Sequence, residues 1–275
     1  MGSEMCIRDR DVYASVNDLL DENKQKNGIQ KEEKQEMNFV EEQDVFQNLI
    51  GSNGSLKKPI EQMKTSIFYP NTSLPVFLHG PTGSGKSFMA RKIYEFAVQE
   101  GILKPDAPFV IMNCAQYVNN IELLSSNLFG YVKGAFTGAY ATTKGLLEAA
   151  DGGMLFLDEV HRLNSESQEK LFVFLDQGIF RRMGESEGWH KAKVRMVMAT
   201  TENLESNFLD TFLRRIPIIV QIPSLKERGE QERLQFIYHF FIEESKVLNK
   251  KMKVSGNVIE ALLLSLIHIS EPTRP

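Results

Sequence analysis

Gly80-Pro81-Thr82-Gly83-Ser84-Gly85-Lys86-Ser87 follows the pattern of a glycine, four residues of any type, then Gly-Lys-Ser/Thr. Glycines at this spacing let the backbone curl so that successive N–H groups and a helix N-terminus point at phosphate oxygens. Lys86 can then neutralise β/γ oxygens, and the Ser87 hydroxyl can ligate magnesium. With Gly near 7% of residues, such a match arises by accident in roughly one chain in a hundred of this length. Further along, Asp158 and Glu159 stand together at the end of an apolar run. An aspartate there holds magnesium, usually through water, and a glutamate one residue on orients or activates the water attacking a γ-phosphate. The plainer reading of that pair is an acidic helix N-terminus. Taken together, the two clusters specify ATP and Mg2+ as ligands and hydrolysis of ATP as the chemistry.

The elements needed to position these residues are legible around them. Leu74-Pro75-Val76-Phe77-Leu78 enters the loop as a buried strand, and Phe88, Met89, Ile93, Phe96 and Ala97 leave it at helical spacing until Gly101. Leu56 to Met63 begins a preceding helix. Pro108 to Asn113 and Gly152 to Glu159 read as further buried strands, the latter placing its carboxylates where open parallel sheets bind ligands. Ser165-Glu166-Ser167-Gln168 has capping-box spacing for a helix carrying Leu171, Phe172, Phe174 and Leu175 and ending at Gly178. A strand from Val194 to Thr201, a helix from about Leu204 to Leu213 and a strand from Ile216 to Ile222 follow. Alternating strands and helices define an α/β fold with a parallel sheet flanked by helices. Past Pro223, Leu234, Ile237, Tyr238 and Phe241 mark an amphipathic helix, and Val258 to Leu264 begins another, an all-helical and incomplete second domain.

Composition narrows the function class. The 275 residues are 42% apolar with a formal charge of −4, enough for a core and without the basic excess of a nucleic-acid-binding face. DNA contact is expected only through a domain absent from this chain. No stretch is long and apolar enough for a membrane span, so the cytoplasm is the default location and no membrane partner is expected. Cys6 and Cys114 are too few for a disulfide framework, and the five histidines show no ligand spacing. The divisions expected are 11–44, a charged linker or end of an upstream domain; 45–225, the α/β domain; and 226–264, the partial helical domain. Residues 1–10 and 265–275 resemble translated cloning or adapter sequence, which would make the natural segment internal to a longer protein.

Between the two phosphate-handling motifs lies Leu128 to Ala139, whose small residues around one aromatic suit an exposed loop tip. Here Gly134-Ala135-Phe136-Thr137-Gly138-Ala139 resembles the signature loop of the bacterial sigma-54-dependent transcriptional activators, AAA+ ATPases that remodel the sigma-54 RNA polymerase holoenzyme. The similarity runs from about Leu49 to Leu225 and includes Leu49-Ile50-Gly51, Asn113-Cys114-Ala115, Asp158-Glu159 and Pro223-Ser224-Leu225-Lys226-Glu227-Arg228. Lys104 to Pro108, Asp158 to Leu163 and Thr211 to Pro217 look like the phosphotransferase-regulated branch typified by the levanase-operon regulator.

The resemblance implies a P-loop AAA+ domain followed by a truncated helical lid, assembly into a ring, expected to be a hexamer, and control of sugar phosphotransferase operons. It places Leu49 and Ile50 near the adenine and makes Asn113 the switch that holds Glu159 from water until nucleotide is sensed. It assigns sigma-54 contact to Phe136 and Thr137, and Thr200 to the sensor strand. Two positions depart from the pattern. Thr201 stands where the family usually has Asn, and of two trans-acting arginines only Arg214 carries over, with Arg215 as a helper, because the first position is Phe208. A chain stopping near Leu264 lacks the lid helix of the second sensor, so weak ATPase activity is expected of it alone. The alternatives are an AAA+ machine acting on DNA or unfolded protein, which would lack the Gly134–Ala139 pattern, and a nucleotide sensor without turnover, which would lack Lys86 or Glu159.

Overall fold

The computed structural model describes residues 44–69, 74–250 and 254–268. The expectations for 1–43, including Cys6, and for 269–275 lie outside the described residues. The chain divides into two compact units. One comprises Gln43–Ser224, and the described residues from Leu225 onward belong to the other.

In the first unit the strands are β1 (Val76–His79), β2 (Phe109–Asn113), the short antiparallel pair β3 (Gly130–Tyr131) and β4 (Thr143–Lys144), β5 (Met154–Asp158), a second short antiparallel pair β6 (Ile179–Phe180) and β7 (His190–Lys191), β8 (Arg195–Thr200) and β9 (Ile218–Gln221). Five of them form one sheet in the order β2-β5-β8-β1-β9, and every pairing in it is parallel. Parallel strands need crossovers, and crossovers put helices on both faces, so successive residues of each central strand must both be apolar. They are, and they divide by parity. Phe77, Leu155, Leu157, Met196 and Met198 enter one core with Leu171, Phe174 and Phe212. Val76, Leu78, Met154, Phe156, Val197 and Ala199 enter the other with Ile60, Met63, Met89 and Ile93. The second core is covered by helices Lys57–Phe68 and Lys86–Gln99, and the first by helices Ile121–Phe129 and Ser165–Gln177.

Four local expectations are corrected. Strand β2 is not buried: it forms an edge of the sheet, and Ile111 is exposed. Phe88 lies outside the helix's buried stripe and is exposed, with the Lys92 ammonium 5.7 Å from its ring centroid. The capping box is displaced by one residue. Asn164 is the cap, its side chain accepting from the Ser167 N–H at 2.9 Å, while Gln168 donates instead to the carbonyls of Leu163 and Asn207. The helix expected across Leu204 to Leu213 is two short turns, Leu204–Asn207 and Asp210–Leu213. Packing overrides helical propensity there: Phe208 is extended, with its ring against Phe77 and Phe212, and the Leu209 N–H donates to Gln168 Oε1.

Cys114 follows β2 inside the first core and is fully buried. Burial, reinforced by the carboxylates of Asp158 and Glu159, pushes its thiol from 9.0 up to about 12. Because the thiolate is the nucleophile, Cys114 is expected to resist iodoacetamide at pH 8 until the domain unfolds, as read by peptide-resolved mass spectrometry. Above pH 9 the unfolded chain loses a proton that the folded one retains, so this group lowers stability as pH rises through that window.

The second unit contributes helices Glu230–Leu248 and Gly256–His268, which pack together. Asn249, in the left-handed region at φ 48°, ends the first. Among the described residues no helix is long and apolar enough to cross a membrane.

Candidate functional site

Because β1, β5 and β8 are parallel neighbours in register, the segments after their carboxyl ends meet at one edge of the sheet. The first is the glycine loop. Gly83 and Gly85 have φ of +77° and +97°, which side chains with a Cβ rarely adopt. At Gly80 the constraint is contact: an added Cβ would lie 2.4 Å from the Ile222 carbonyl oxygen. Helix Lys86–Gln99 starts directly after Gly85, so its N-terminal N–H groups face the concavity. Lys86 is 7% exposed, and its ammonium donates to the carbonyls of Gly80 (2.7 Å) and Pro81 (3.1 Å). Burial draws its pKa down, opposed by the nearby charges of Glu159 and Asp158.

The second segment carries the carboxylates. Ser87 Oγ donates to Asp158 Oδ2 at 3.2 Å, bringing together the two residues expected to share a cation. The other oxygen of Asp158 accepts from the Glu159 N–H at 3.0 Å. Glu159 sits in the left-handed region, φ 52° and ψ 45°. A non-glycine residue there stores strain of about 1 kcal/mol or more, and such outliers cluster at functional sites. Its carboxylate lies 3.4 Å from Thr201 Oγ1 and 3.4 Å from His161 Nδ1. That histidine nitrogen is also 3.0 Å from Thr200 Oγ1, which accepts from the Glu202 N–H at 3.1 Å. Thr200 is fully buried at the end of β8, paired with His79 of β1.

Asn113 stands opposite Asp158 in the β2–β5 ladder. Its amide oxygen accepts from the Ala115 N–H at 2.9 Å, capping the turn Cys114–Tyr117. Among the described residues, the side chains hydrogen-bonded or ion-paired to the Glu159 carboxylate are Thr201 and His161. In the sequence His161 stands within Asp158–Leu163 with no role of its own. The available signal was its position three residues beyond Asp158, on the first turn after a buried strand.

The Gly134–Ala139 loop is a closed tip. The Gly134 N–H donates to the Ala139 carbonyl at 2.9 Å and the Ala139 N–H to that of Phe136 at 3.0 Å, with Gly134 and Gly138 at φ +84° and +101°. Phe136 is 36% exposed, its ring 5.0 Å from that of Tyr131; Ala135 is half-buried, Thr137 exposed and Ala139 buried. A second tip rests beside the first. The Val132 N–H donates to the Met183 carbonyl, and Gly184 approaches so closely that a Cβ on it would lie 2.6 Å from that of Ala135. Arg182 anchors this second tip through two 2.8 Å bonds to Glu148, whose carboxyl the guanidinium holds below its ordinary range.

Leu49 is half-buried against the second core, with Ile50 beside it in the turn-rich segment before helix Lys57–Phe68. Arg214 is exposed at the end of turn Asp210–Leu213, and its side chain makes no hydrogen bond or ion pair among the described residues. Arg215 is committed, 3.1 Å from Asp176 Oδ1 and 5.2 Å from the Phe172 ring centroid. Phe208, which the resemblance aligns with a family arginine, is a core residue.

The five-stranded parallel sheet, its glycine loop and the paired carboxylates on the neighbouring strand define the P-loop AAA+ fold. Residues 49–219 match the Sigma-54 interaction domain, and the chain belongs to that family. It is 50% identical over 217 residues to the transcriptional regulatory protein LevR of Bacillus subtilis (strain 168), covering 79% of this chain and 23% of that protein. It is 42% identical over 222 residues to the transcriptional regulatory protein DagR of Salmonella typhimurium (strain 14028s / SGSC 2262), covering 80% and 23%. The chain thus spans about a quarter of the length of these relatives. Among solved structures it resembles NtrX from Brucella abortus in complex with ADP, with a TM-score of 0.60 and 25% identity, covering 77% of this chain and 48% of that one.

Proposed function

We propose that this chain is the ATP-hydrolysing, sigma-54-contacting engine of a bacterial transcriptional activator. It would remodel the sigma-54 RNA polymerase holoenzyme to open promoters, those of sugar phosphotransferase operons by its likeness to LevR. The observation that carries the reading is the convergence of Lys86, Ser87, Asp158 and Glu159 at one sheet edge in a chain that also presents the Gly134–Ala139 tip.

The residues fit ATP and magnesium. The loop Gly80 to Ser87 offers backbone N–H groups and a buried ammonium to phosphates. Ser87 and Asp158 offer hard oxygens 3.2 Å apart. Among the described residues no cluster of three or more histidine, cysteine or carboxylate side chains forms a metal cage. That suits magnesium, which keeps waters and takes only one or two protein ligands beside substrate phosphates. When bound, it would neutralise charge developing on the β- and γ-oxygens. Ser87 and Asp158 would hold the cation, Asp158 through water, while Lys86 would hold the phosphates, Glu159 would accept a proton from the attacking water and Thr200 would sense the γ-phosphate. Leu49 and Ile50 flank the adenine, Asn113 acts as the nucleotide-dependent switch on Glu159, and Arg214 reaches a neighbouring subunit's nucleotide in a hexameric ring. DNA is contacted only through another domain of the complete protein, which works in the cytoplasm.

The tip should separate remodelling from hydrolysis. Thr137 is exposed and its side chain makes no hydrogen bond among the described residues, so Thr137→Ala should change stability by no more than about 0.5 kcal/mol. The variant is expected to keep ATPase activity within about twofold, since Thr137 lies outside the phosphate site, and to lose open-complex formation with sigma-54 holoenzyme in a promoter-melting assay. Equal loss of both activities would refute a contact role for the tip.

A further inference from the structure

We propose that His161 is the positioning residue for Glu159 and ties it to Thr200, an inference that rests on the function proposed above. Three observations carry it. His161 Nδ1 lies between Glu159 Oε2 at 3.4 Å and Thr200 Oγ1 at 3.0 Å. The ring is buried, and among the described residues its Nε2 has no hydrogen-bond partner. The main chain of Glu159 sits in the left-handed region, at φ 52°.

The chemistry then selects a tautomer. A proton on Nε2 would bury a donor without a partner and turn the Nδ1 lone pair toward a carboxylate. A proton on Nδ1 places a donor against Glu159 and Thr200 and leaves only an acceptor unmatched at Nε2, the smaller cost. Thr200 Oγ1 already accepts from the Glu202 N–H, so its own hydroxyl proton is left for a γ-phosphate oxygen. Glu159, Thr200 and Thr201 are thereby joined through one imidazole. Thr201 supplies the second hold on the same carboxylate, at 3.4 Å. The strained backbone at Glu159 gives this clamp a purpose: with the main chain in the left-handed region, the two side-chain contacts fix where the carboxylate ends.

The experiment compares His161→Ala, →Asn and →Gln. An Asn amide reaches the Nδ1 position, whereas a Gln amide reaches that of Nε2. Misplacing a catalytic group by about 1 Å can cost 10²-fold. The expected result is therefore kcat lowered at least about tenfold in the Ala and Gln variants, with KM and ADP affinity little changed and most of the rate restored by Asn. Adding Thr201→Ala to His161→Ala should be non-additive, because both residues hold one carboxylate. Independently of turnover, a 15N-imidazole spectrum of the chain should show His161 protonated on Nδ1. An Nε2-protonated ring, an Asn variant no faster than Ala, or an Ala variant with the parent kcat would each overturn the inference. Failure of the parent chain to bind ATP at all would instead overturn the function on which it rests.

Discussion

Glu159→Gln is expected to bind ATP as the parent chain does and to turn it over about 10²- to 10⁴-fold more slowly, the range that a positioned general base contributes. Gln keeps the size of Glu and can still meet Thr201 and His161, so the fold and the phosphate loop are undisturbed and only proton acceptance is lost. Lys86→Ala should have the opposite signature, with ATP affinity falling. Its ammonium is buried and donates to Gly80 and Pro81, so the substitution removes the phosphate-neutralising charge and two charge-assisted bonds that shape the loop. Titration with a fluorescent ATP analogue, beside phosphate-release kinetics, separates the two. A Glu159→Gln variant with normal turnover would refute the assignment of the base.

The positions of Lys86 and Glu159 were legible because each motif is short and tied to a strand end. A glycine loop between an apolar run and a helical pattern, and a carboxylate pair closing another apolar run, already specify a parallel sheet with both groups at one edge. The parity of Phe77 against Val76 and Leu78 shows why such runs look uniform in sequence: both faces are buried, so alternation is invisible. What was not legible depended on long-range contacts. Pattern alone gives Phe208 a place in a helix, and only the rings of Phe77 and Phe212 explain why the chain is extended there. Likewise Gln168 has the spacing of half a local capping box, whereas its amide bridges Leu163, Asn207 and Leu209, as much as 41 residues away. The contact of His161 is hidden for the same reason, since its partner Thr200 lies 39 residues further on.

Arg214→Ala is expected to slow hydrolysis by about three orders of magnitude or more, since an arginine finger contributes about 10³ to 10⁵ in rate. The adjacent arginine is not expected to replace it. Arg215 is paired with Asp176 and lies against Phe172, and Arg215→Ala should cost at most about 1 kcal/mol of stability and little activity. Arg214, exposed and without an ion pair among the described residues, is the residue proposed to reach a neighbour's nucleotide. Trans action makes two further demands. Turnover by the parent chain should be near background when dilute and rise more steeply than linearly with subunit concentration, with light scattering reporting the assembled mass. Two inactive variants should also complement: Arg214→Ala subunits retain Glu159, Glu159→Gln subunits retain the finger, and their mixture can form active interfaces. Activity recovered on mixing, absent from either variant alone, would establish that the arginine works between subunits. Turnover first order in chain, with Arg214→Ala unimpaired, would show that each subunit hydrolyses ATP by itself and that the ring mechanism is wrong.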